Sequence, residues 1–202
     1  MISSFLPLNA WQDTARHFFS CGTCKLRAVS IACVDTVEQQ IMQLVLKCSI
    51  ETNGKLKVVS FVLKHPTVML IFWFRGEDNR IHILMARETQ IAIPRRQYTI
   101  PYGCYVNGVL IGELITQLRS HLGLTLSDAQ KIEMTKLHIS PHISNETFEY
   151  YEHEIHNLTD LLDADEDETF TVMPLEKAVL HADGRTTSIL LNSMHIFACN
   201  ET

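Results

Sequence analysis

The feature that most constrains this chain is an unbroken apolar run over 68–74, Val-Met-Leu-Ile-Phe-Trp-Phe. A transmembrane helix needs roughly 20 apolar residues, so the run is far too short to cross a bilayer. A strand with one solvent-exposed face alternates between apolar and polar residues, whereas a strand covered on both faces is apolar throughout. The run therefore predicts a central β-strand over 67–74 in a domain that covers both faces of its sheet.

Extended segments surround this run. β-Branched and aliphatic residues predict strands over 25–34, 40–50, 55–63, 81–86, 148–155 and 169–173. Asn53 and Gly54 tolerate a positive φ, so they predict a hairpin turn between the second and third of these strands. Because helical segments are set among hairpins, the sequence predicts an α+β fold, an αβα sandwich with a mixed sheet between helices.

Helices are predicted from the spacing of apolar residues and from residues that commonly begin or end a helix. Over 112–122 the apolar positions recur every three or four residues and share one face, and Gly123 is a natural stop. Pro174 predicts a helix start, because proline is tolerated in a first helical turn. Residues 188–198 predict the last helix. Residues 1–20 show only a weak pattern and are interpreted as a lid or an interface arm.

Length and charge restrict the class of protein. The 202 residues fit one domain, or one domain with an elaborated terminus. There are 17 Lys and Arg against 23 Asp and Glu, a net charge of -6. Proteins that bind duplex nucleic acid take most of their affinity from basic residues on phosphates, so the sequence argues against such a partner. A small basic pocket for one nucleotide stays compatible with this charge.

The cysteines and the first residues predict a cytoplasmic protein with no membrane partner. The chain begins without the basic region and long apolar core of a signal peptide, so its six cysteines are expected to be reduced. Cys21 and Cys24 form a CxxC motif, but a zinc ribbon needs a second close pair. A thioredoxin-like motif should open a helix, whereas 25–35 is extended in pattern. We interpret both as packing cysteines.

Six short segments carry a family resemblance. They are His65-Pro66, ILMARETQ over 83–90, TIPYG over 99–103, ELITQLRSHLGL over 113–124, SPHISNE over 140–146 and the stretch from DEDE to PLEKA over 165–178. In this order they resemble the Nudix hydrolase superfamily, more closely its ADP-ribose or ADP-sugar pyrophosphatase branch. The resemblance implies a Nudix-like domain over 58–202. It also implies an N-terminal extension with a β-hairpin over 1–57, a dimerisation arm in such enzymes, and so a homodimer.

The resemblance also shows what this chain lacks. The family splits a pyrophosphate with Mg²⁺ or Mn²⁺ held by three glutamates on one face of its Nudix helix. The corresponding positions here are Gln117, Ser120 and His121. Hard cations prefer carboxylate oxygens, and an amide, a hydroxyl and a neutral imidazole do not replace them. Mg²⁺ or Mn²⁺ is therefore expected as a cofactor only if the chain is active, and no cofactor is expected otherwise. Thr116 and Thr99 stand where the family has an arginine and a glutamate.

Two carboxylates are candidates for catalysis. Glu146 stands where the family carries a glutamate after its "SPG" motif, which implies a base or a water-orienting group. The other interpretation is a solvated loop acid. Glu113 lies four residues before Gln117, on the same helical face, so a relocated metal site is geometrically feasible. A transition-metal site from His121 with His142 or Glu146 is a further interpretation, weaker than satisfied or surface histidines.

Ligand-binding candidates come from the same segments. Arg95 and Arg96 form a basic pair that would meet phosphates, although a solvent-facing pair is the more common outcome. Arg87, Gln90 and Gln117 complete the set by resemblance, with Gln90 replacing an arginine that contacts substrate in the family. The acidic run over 163–168 is interpreted as a solvated loop, because it lacks the glycine and the glutamate of a calcium-binding loop.

Three functions remain open from the sequence. The first is a pseudo-enzyme that binds a nucleotide, a nucleotide sugar or a protein partner without efficient hydrolysis. The second is an active hydrolase of a nucleoside diphosphate derivative, with metal held through Glu113, Glu146 and acidic loop residues. The third is an interaction subunit that binds no ligand, in which the aromatic residues of 1–57 form the working surface.

Overall fold

The computed structural model describes residues 2, 5–20, 24–37, 40–90, 95–106, 108–124, 130–132, 144–155 and 169–199. The helices are α1 (Leu6–Ser20), α2 (Glu113–Leu122), α3 (Leu175–His181) and α4 (Gly184–Cys199). The strands are β1 (Cys24–Val37), β2 (Gln40–Thr52), β3 (Lys55–Lys64), β4 (Thr67–Arg75), β5 (Ile81–Gln90), β6 (Arg95–Thr99), β7 (Tyr102–Val106), β8 (Val109–Ile111), β9 (Gln130–Ile132), β10 (Phe148–Glu154) and β11 (Phe170–Pro174). The fold is α+β, as predicted, and the strand pairs β1–β2, β2–β3, β4–β5, β5–β6, β5–β11 and β9–β10 are antiparallel.

The chain divides into two compact units. The first contains residues 1–67, 105–109 and 136–148, and the second contains 68–104, 110–135 and 149–202. In the described part of the first unit, β1, β2 and β3 form an antiparallel meander. The predicted hairpin turn is confirmed, because Asn53 and Gly54 both have positive φ, 52° and 73°. The meander continues to Lys64, beyond the proposed boundary at residue 57.

Helix α1 was not predicted from the sequence, and neither were the short strands β6 to β9. Phe5, Leu8 and Ala15 are buried, with Trp11 partly buried between them, so the apolar residues follow a helical spacing along one face. Phe5 and Leu8 form a core cluster with Ile41, Leu44, Leu46 and Leu63 of the meander. The apolar spacing is interrupted by polar residues, and packing on the sheet stabilises the helix more than its own propensity does.

The second unit is built around the predicted central strand. The order β11-β5-β4-β10-β9 places β4 inside the sheet, with β6 beside β5 and β7 between β4 and β8. From Val68 to Trp73 every side chain is at most 2% exposed, so the prediction of a strand buried on both faces is confirmed. On β5, Ile83 to Ala86 are equally buried. These two strands form the hydrophobic centre of the sheet.

Helix α2 has the predicted bounds and the predicted apolar face. Leu114, Ile115, Leu118 and Leu122 are buried, and Gly123 ends the helix with φ 64°. Gly103 is required for packing before this helix, because a Cβ there would lie 2.4 Å from the carbonyl oxygen of Ile111. The glycine of the TIPYG segment therefore permits a close backbone approach.

The two C-terminal helices differ in detail from the prediction. Pro174 lies just before α3 as its N-cap, and the first helical residue is Leu175. Helix α4 begins at Gly184, before the predicted start at 188, because Asp183 caps it by accepting a 2.7 Å hydrogen bond from the Thr186 backbone N–H. Among the described residues, no helix combines the length and apolarity needed to cross a membrane.

Candidate functional site

The polar face of α2 carries the residues that the sequence resemblance predicts at the positions of metal ligands. Glu113, Gln117, Ser120 and His121 follow the helical repeat opposite the buried face. Glu113 and Ser120 are exposed, while Gln117 and His121 are half-buried. The Gln117 side-chain oxygen Oε1 is buried, and no described residue gives it a hydrogen bond. This face therefore presents one carboxylate in the first turn and neutral acceptors afterwards.

A metal site needs several donors close together. Within the described ranges, no three His, Cys, Asp or Glu side chains cluster in a way that would hold an ion. His138, His142, His156 and the acidic run 163–168 lie outside the described residues. His153 is half-buried on β10 and packs edge-on against the Phe72 ring at 6.1 Å. The described side chains therefore supply no preformed cage for Mg²⁺ or Mn²⁺.

Glu146 lies in the first unit, on a segment bound to the β3–β4 junction. Its Oε1 accepts a 3.0 Å hydrogen bond from the Thr67 hydroxyl, and its Oε2 lies 3.6 Å from the Lys64 ammonium. Its side chain is only 18% exposed, so it is not the freely solvated loop acid of the alternative interpretation. Both oxygens have protein partners, which fixes the position of this carboxylate.

Asn145 attaches the same segment to β3. Its Oδ1 accepts a 2.7 Å bond from the Lys64 N–H, and its Nδ2 donates a 3.2 Å bond to the Lys64 carbonyl. The Asn145 N–H donates to the Val62 carbonyl, and the Thr67 N–H donates to the Thr147 carbonyl. Four hydrogen bonds across residues 145–147 hold Glu146 in a defined place, as a positioned functional group requires.

The predicted ligand-binding arginines lie on the antiparallel pair β5–β6 of the second unit. Arg87 Nη2 donates to the Tyr98 hydroxyl at 3.3 Å, and its guanidinium lies 5.8 Å from the centre of the Tyr98 ring. Arg96 is exposed. The backbones of Gln90 and Arg95 pair at the end of this ladder, and their side chains lie outside the described set. The register thus places four candidate residues on one hairpin.

A polar network on β5 and β7 was not found from the sequence. The Tyr102 hydroxyl donates a 2.6 Å hydrogen bond to Glu88, and the Arg185 guanidinium lies 5.3 Å from the Tyr102 ring centre. Burial first, and then the hydrogen bond to Glu88, raises the pKa of Tyr102 to about 12. Arg185 also lies 3.5 Å from Asp183. The sequence signal was the tyrosine inside TIPYG, but its partners come from distant positions.

Thr99, which the sequence resemblance aligns with a glutamate of the family, lies where β6 contacts α4. It is fully buried, and its hydroxyl lies 3.1 Å from the hydroxyl of Thr186. The Thr186 hydroxyl also accepts a 3.2 Å bond from the Ile100 N–H. A glutamate at this place would bring an uncompensated charge into a closed site, which is costly. The replacement therefore fits the packing of α4 on β6.

Four cysteines among the described residues bear on the interpretation of the thiols as packing residues. Cys24, Cys33, Cys48 and Cys104 are free, and the Cys24 sulfur lies 3.2 Å from the Thr52 hydroxyl. Cys48 is buried, and burial raises the pKa of its thiol. The partner of Cys24 in the CxxC motif, Cys21, lies outside the described residues, so the packing interpretation of the pair stays a prediction.

Comparison with known proteins identifies the fold. Neither a protein-family profile nor a curated protein matches this chain. Among solved structures it is similar to one described as an ADP compounds hydrolase, with 15% identity and a TM-score of 0.53. The match covers 88% of this chain and 98% of that chain. The chain has a Nudix-type fold.

A second similar structure is the Ap4A hydrolase of C. elegans. It has 17% identity and a TM-score of 0.46, and the match covers 66% of this chain and 98% of that chain. At such identities a likeness shows the fold, and chemistry has to be argued from the residues of the site. The roles assigned to Glu113, Glu146 and the ligand-binding set stay predictions.

Proposed function

We propose that this chain is a Nudix-fold pseudo-enzyme that binds a nucleotide or nucleotide sugar without efficient hydrolysis. The proposal is supported by the polar face of α2, which carries Gln117, Ser120 and His121, the residues that the sequence resemblance aligns with the family's glutamates. Neutralising a pyrophosphate and activating water with Mg²⁺ depends on carboxylate ligands. Glu113 alone leaves such an ion without enough negative charge on this helix.

Binding is supported by groups suited to a polar ligand. The buried Gln117 Oε1 lacks a described partner, and a buried acceptor without a hydrogen bond costs free energy. A ligand donor such as a ribose hydroxyl or an adenine amine would satisfy it. Arg87 and Arg96 supply positive charge on the β5–β6 hairpin, and a guanidinium is well suited to phosphate.

The first test is a turnover and binding assay of the full chain with ADP-ribose and nucleotide sugars. Mg²⁺ and Mn²⁺ are supplied separately, AMP is measured by chromatography, and the melting temperature is recorded with each nucleotide. We expect a raised melting temperature and no AMP. AMP release that is lost in Glu146→Gln and kept in the control Glu149→Gln would contradict the proposal and establish the active hydrolase.

A second test restores carboxylates. The double variant Gln117→Glu/Ser120→Glu adds two acidic groups to the polar face of α2, and Thr116→Glu/Arg119→Glu adds two on neighbouring exposed positions. We expect Mn²⁺ to raise the melting temperature of the first variant only. Equal shifts in both variants would mean that charge alone, and not the arrangement of the family's ligands, attracts the ion.

The first unit supports a second candidate role, self-association. Strand β1 is an edge of the meander, and Val29, Ile31 and Val34 are about 40% exposed. We infer that a second copy covers this strand, forming a homodimer. Light scattering tests this with Ile31→Lys/Val34→Lys, which should yield monomers. Leu180→Lys, at an exposed site of the second unit, should leave the dimer intact.

A further inference from the structure

The first unit contains two adjoining cavities, and of the residues that line them only Val29 belongs also to the proposed dimer edge. The inner cavity has a volume of about 310 Å³, and the outer one about 650 Å³. Trp11, Phe19 and Leu26 line both. The inner walls are completed by Cys48, Ile50, Val59, Phe61, Leu63, Ser144 and Asn145. Pockets for small ligands occupy roughly 300–1,000 Å³, so both volumes lie in that range.

The inner cavity exists because α1 covers only part of one sheet face. Near the start of α1, Phe5 and Leu8 fill the space above Leu44, Leu46 and Leu63. Farther along the strands the sheet offers Cys48 opposite Val59, two small side chains. The helix offers the small Ala15 before it ends at Ser20. Apolar surface therefore remains without side chains packed against it.

The polar groups in the inner cavity are already engaged. The Asn145 side chain bonds both the N–H and the carbonyl of Lys64, at 2.7 Å and 3.2 Å. The Ser144 hydroxyl accepts a 3.1 Å bond from the Glu146 N–H. A polar ligand group placed here would find few partners, whereas a hydrocarbon chain loses nothing by entering. The chamber is thus suited to an apolar chain.

Three of the ten residues that line the outer cavity are basic. Arg16, Lys25 and Arg27 contribute to its walls. Arg27 pairs with Glu51 at 2.6 Å, while the Arg16–Asp13 contact of 3.6 Å joins two side chains that are 78% exposed and is therefore screened. Among the described residues, Lys25 has no ion pair. From 14 to 34 the sequence has no Asp or Glu, in a chain with a net charge of -6.

We infer that these cavities bind a single-chain anionic amphiphile of the fatty-acid class. The hydrocarbon chain occupies the inner cavity, and the carboxylate lies in the outer cavity near Arg16 and Lys25. An open cavity with apolar walls, next to a second one that includes basic side chains, complements a molecule with an apolar chain and one acidic head. The inference concerns the first unit and is independent of the nucleotide proposal.

The site proposed for the hydrocarbon chain is tested by titration calorimetry of the full chain. The ligands are saturated carboxylates of 8 to 12 carbons, used below their micelle concentrations. Each added methylene should tighten binding about three- to fourfold, because each buried CH₂ contributes a constant increment. Val59→Phe, at a partly exposed position on the wall of the inner cavity, should abolish this dependence on length. Absence of binding, or affinity independent of length, would overturn the inference.

The charge requirement is tested with a matched pair of variants. Arg16→Glu/Lys25→Glu reverses two charges at the outer cavity, and Lys55→Glu/Lys57→Glu reverses two exposed charges outside it. The unmodified chain should prefer dodecanoate over dodecanol by about tenfold or more, as expected for a charge-assisted contact. The first variant should lose that preference and the second should keep it. Equal loss in both, or a wild-type chain without preference, would overturn the assignment of the head group.

Dimerisation provides the remaining control. If light scattering shows a dimer whose formation is unaffected by dodecanoate, the cavity and the β1 edge are separate and the inference stands. If no carboxylate binds while Trp11→Ala breaks the dimer, a second copy occupies the cavity, and the inference is wrong.

Discussion

The two units of this protein differ in net charge and in the number of large apolar side chains that they expose. Residues 1–67 carry seven Lys and Arg against four Asp and Glu, a net charge of +3, while 68–202 carry a net charge of -9. Of the eleven large apolar side chains that are exposed in the described ranges, nine belong to the first unit. A basic surface with exposed apolar groups suits contacts with partners or amphiphiles.

Most large apolar side chains in the described part of the second unit are buried. Strand β4 is buried on both faces, with every side chain from Val68 to Trp73 at most 2% exposed. The contrast teaches that the buried core and the exposed apolar side chains are concentrated in different parts of this chain.

The largest expected effect tests the burial contrast. Phe72→Ala removes a ring that is 1% exposed in the second unit, and we expect unfolding to cost about 3–5 kcal/mol less. The matched change Phe18→Ala, at a ring that is 64% exposed in the first unit, should change stability by about 0.5 kcal/mol or less. Urea denaturation measures both, and similar losses would break the comparison.

The next effect concerns the close backbone approach before α2. Gly103→Ala places a Cβ 2.4 Å from the Ile111 carbonyl oxygen, so the backbone must shift, at about 1–3 kcal/mol. Gly184→Ala serves as the control, because a Cβ there meets nothing within 4 Å. Thermal unfolding should show a lowered melting temperature for the first variant only. An unchanged Gly103→Ala protein would mean that this approach is not tight.

A smaller effect concerns alkaline pH in the second unit. The pKa of Tyr102 rises from 10 to about 12 on folding, so the stability from its neutral phenol is complete below pH 10 and is lost as the pH rises toward 12. Tyr102→Phe removes the bond to Glu88, with an expected loss of about 1–2 kcal/mol at neutral pH. It should also flatten the alkaline part of the stability curve. A curve that keeps its slope would assign that slope to another group.

The smallest effect concerns acidic pH in the first unit. His65 packs edge-on against Phe5 at 5.0 Å, and burial lowers its pKa below 6.5. The stability from the neutral ring is complete above pH 6.5 and declines as the pH falls toward the lowered pKa. His65→Gln should reduce this loss in denaturant titrations between pH 7 and 5. His17→Gln, on the exposed side of α1, should not.

Much of the fold followed from sequence because local patterns were strong. The apolar run of β4, the Asn53-Gly54 turn and the apolar face of α2 each have one favourable structure, and all three are confirmed. Helix α1 was missed because its stability comes from contacts with β2 and β3, which no local pattern records. Helix α4 began earlier than predicted because its cap, Asp183, precedes a polar first turn.

For the candidate site too, some features followed from the sequence and others only from the tertiary structure. The sequence by itself determined which chemical groups stand on α2, because helical spacing assigns Gln117, Ser120 and His121 to the face of Glu113. Only the tertiary structure decided the partners of Glu146 and Tyr102, which come from residues far away in the chain. It alone revealed the cavities beside α1, because an unfilled volume depends on how a helix and a sheet meet. The spacing of residues along a helix or strand determines which side chains share a face, whereas contacts between distant segments depend on the packing of the whole unit.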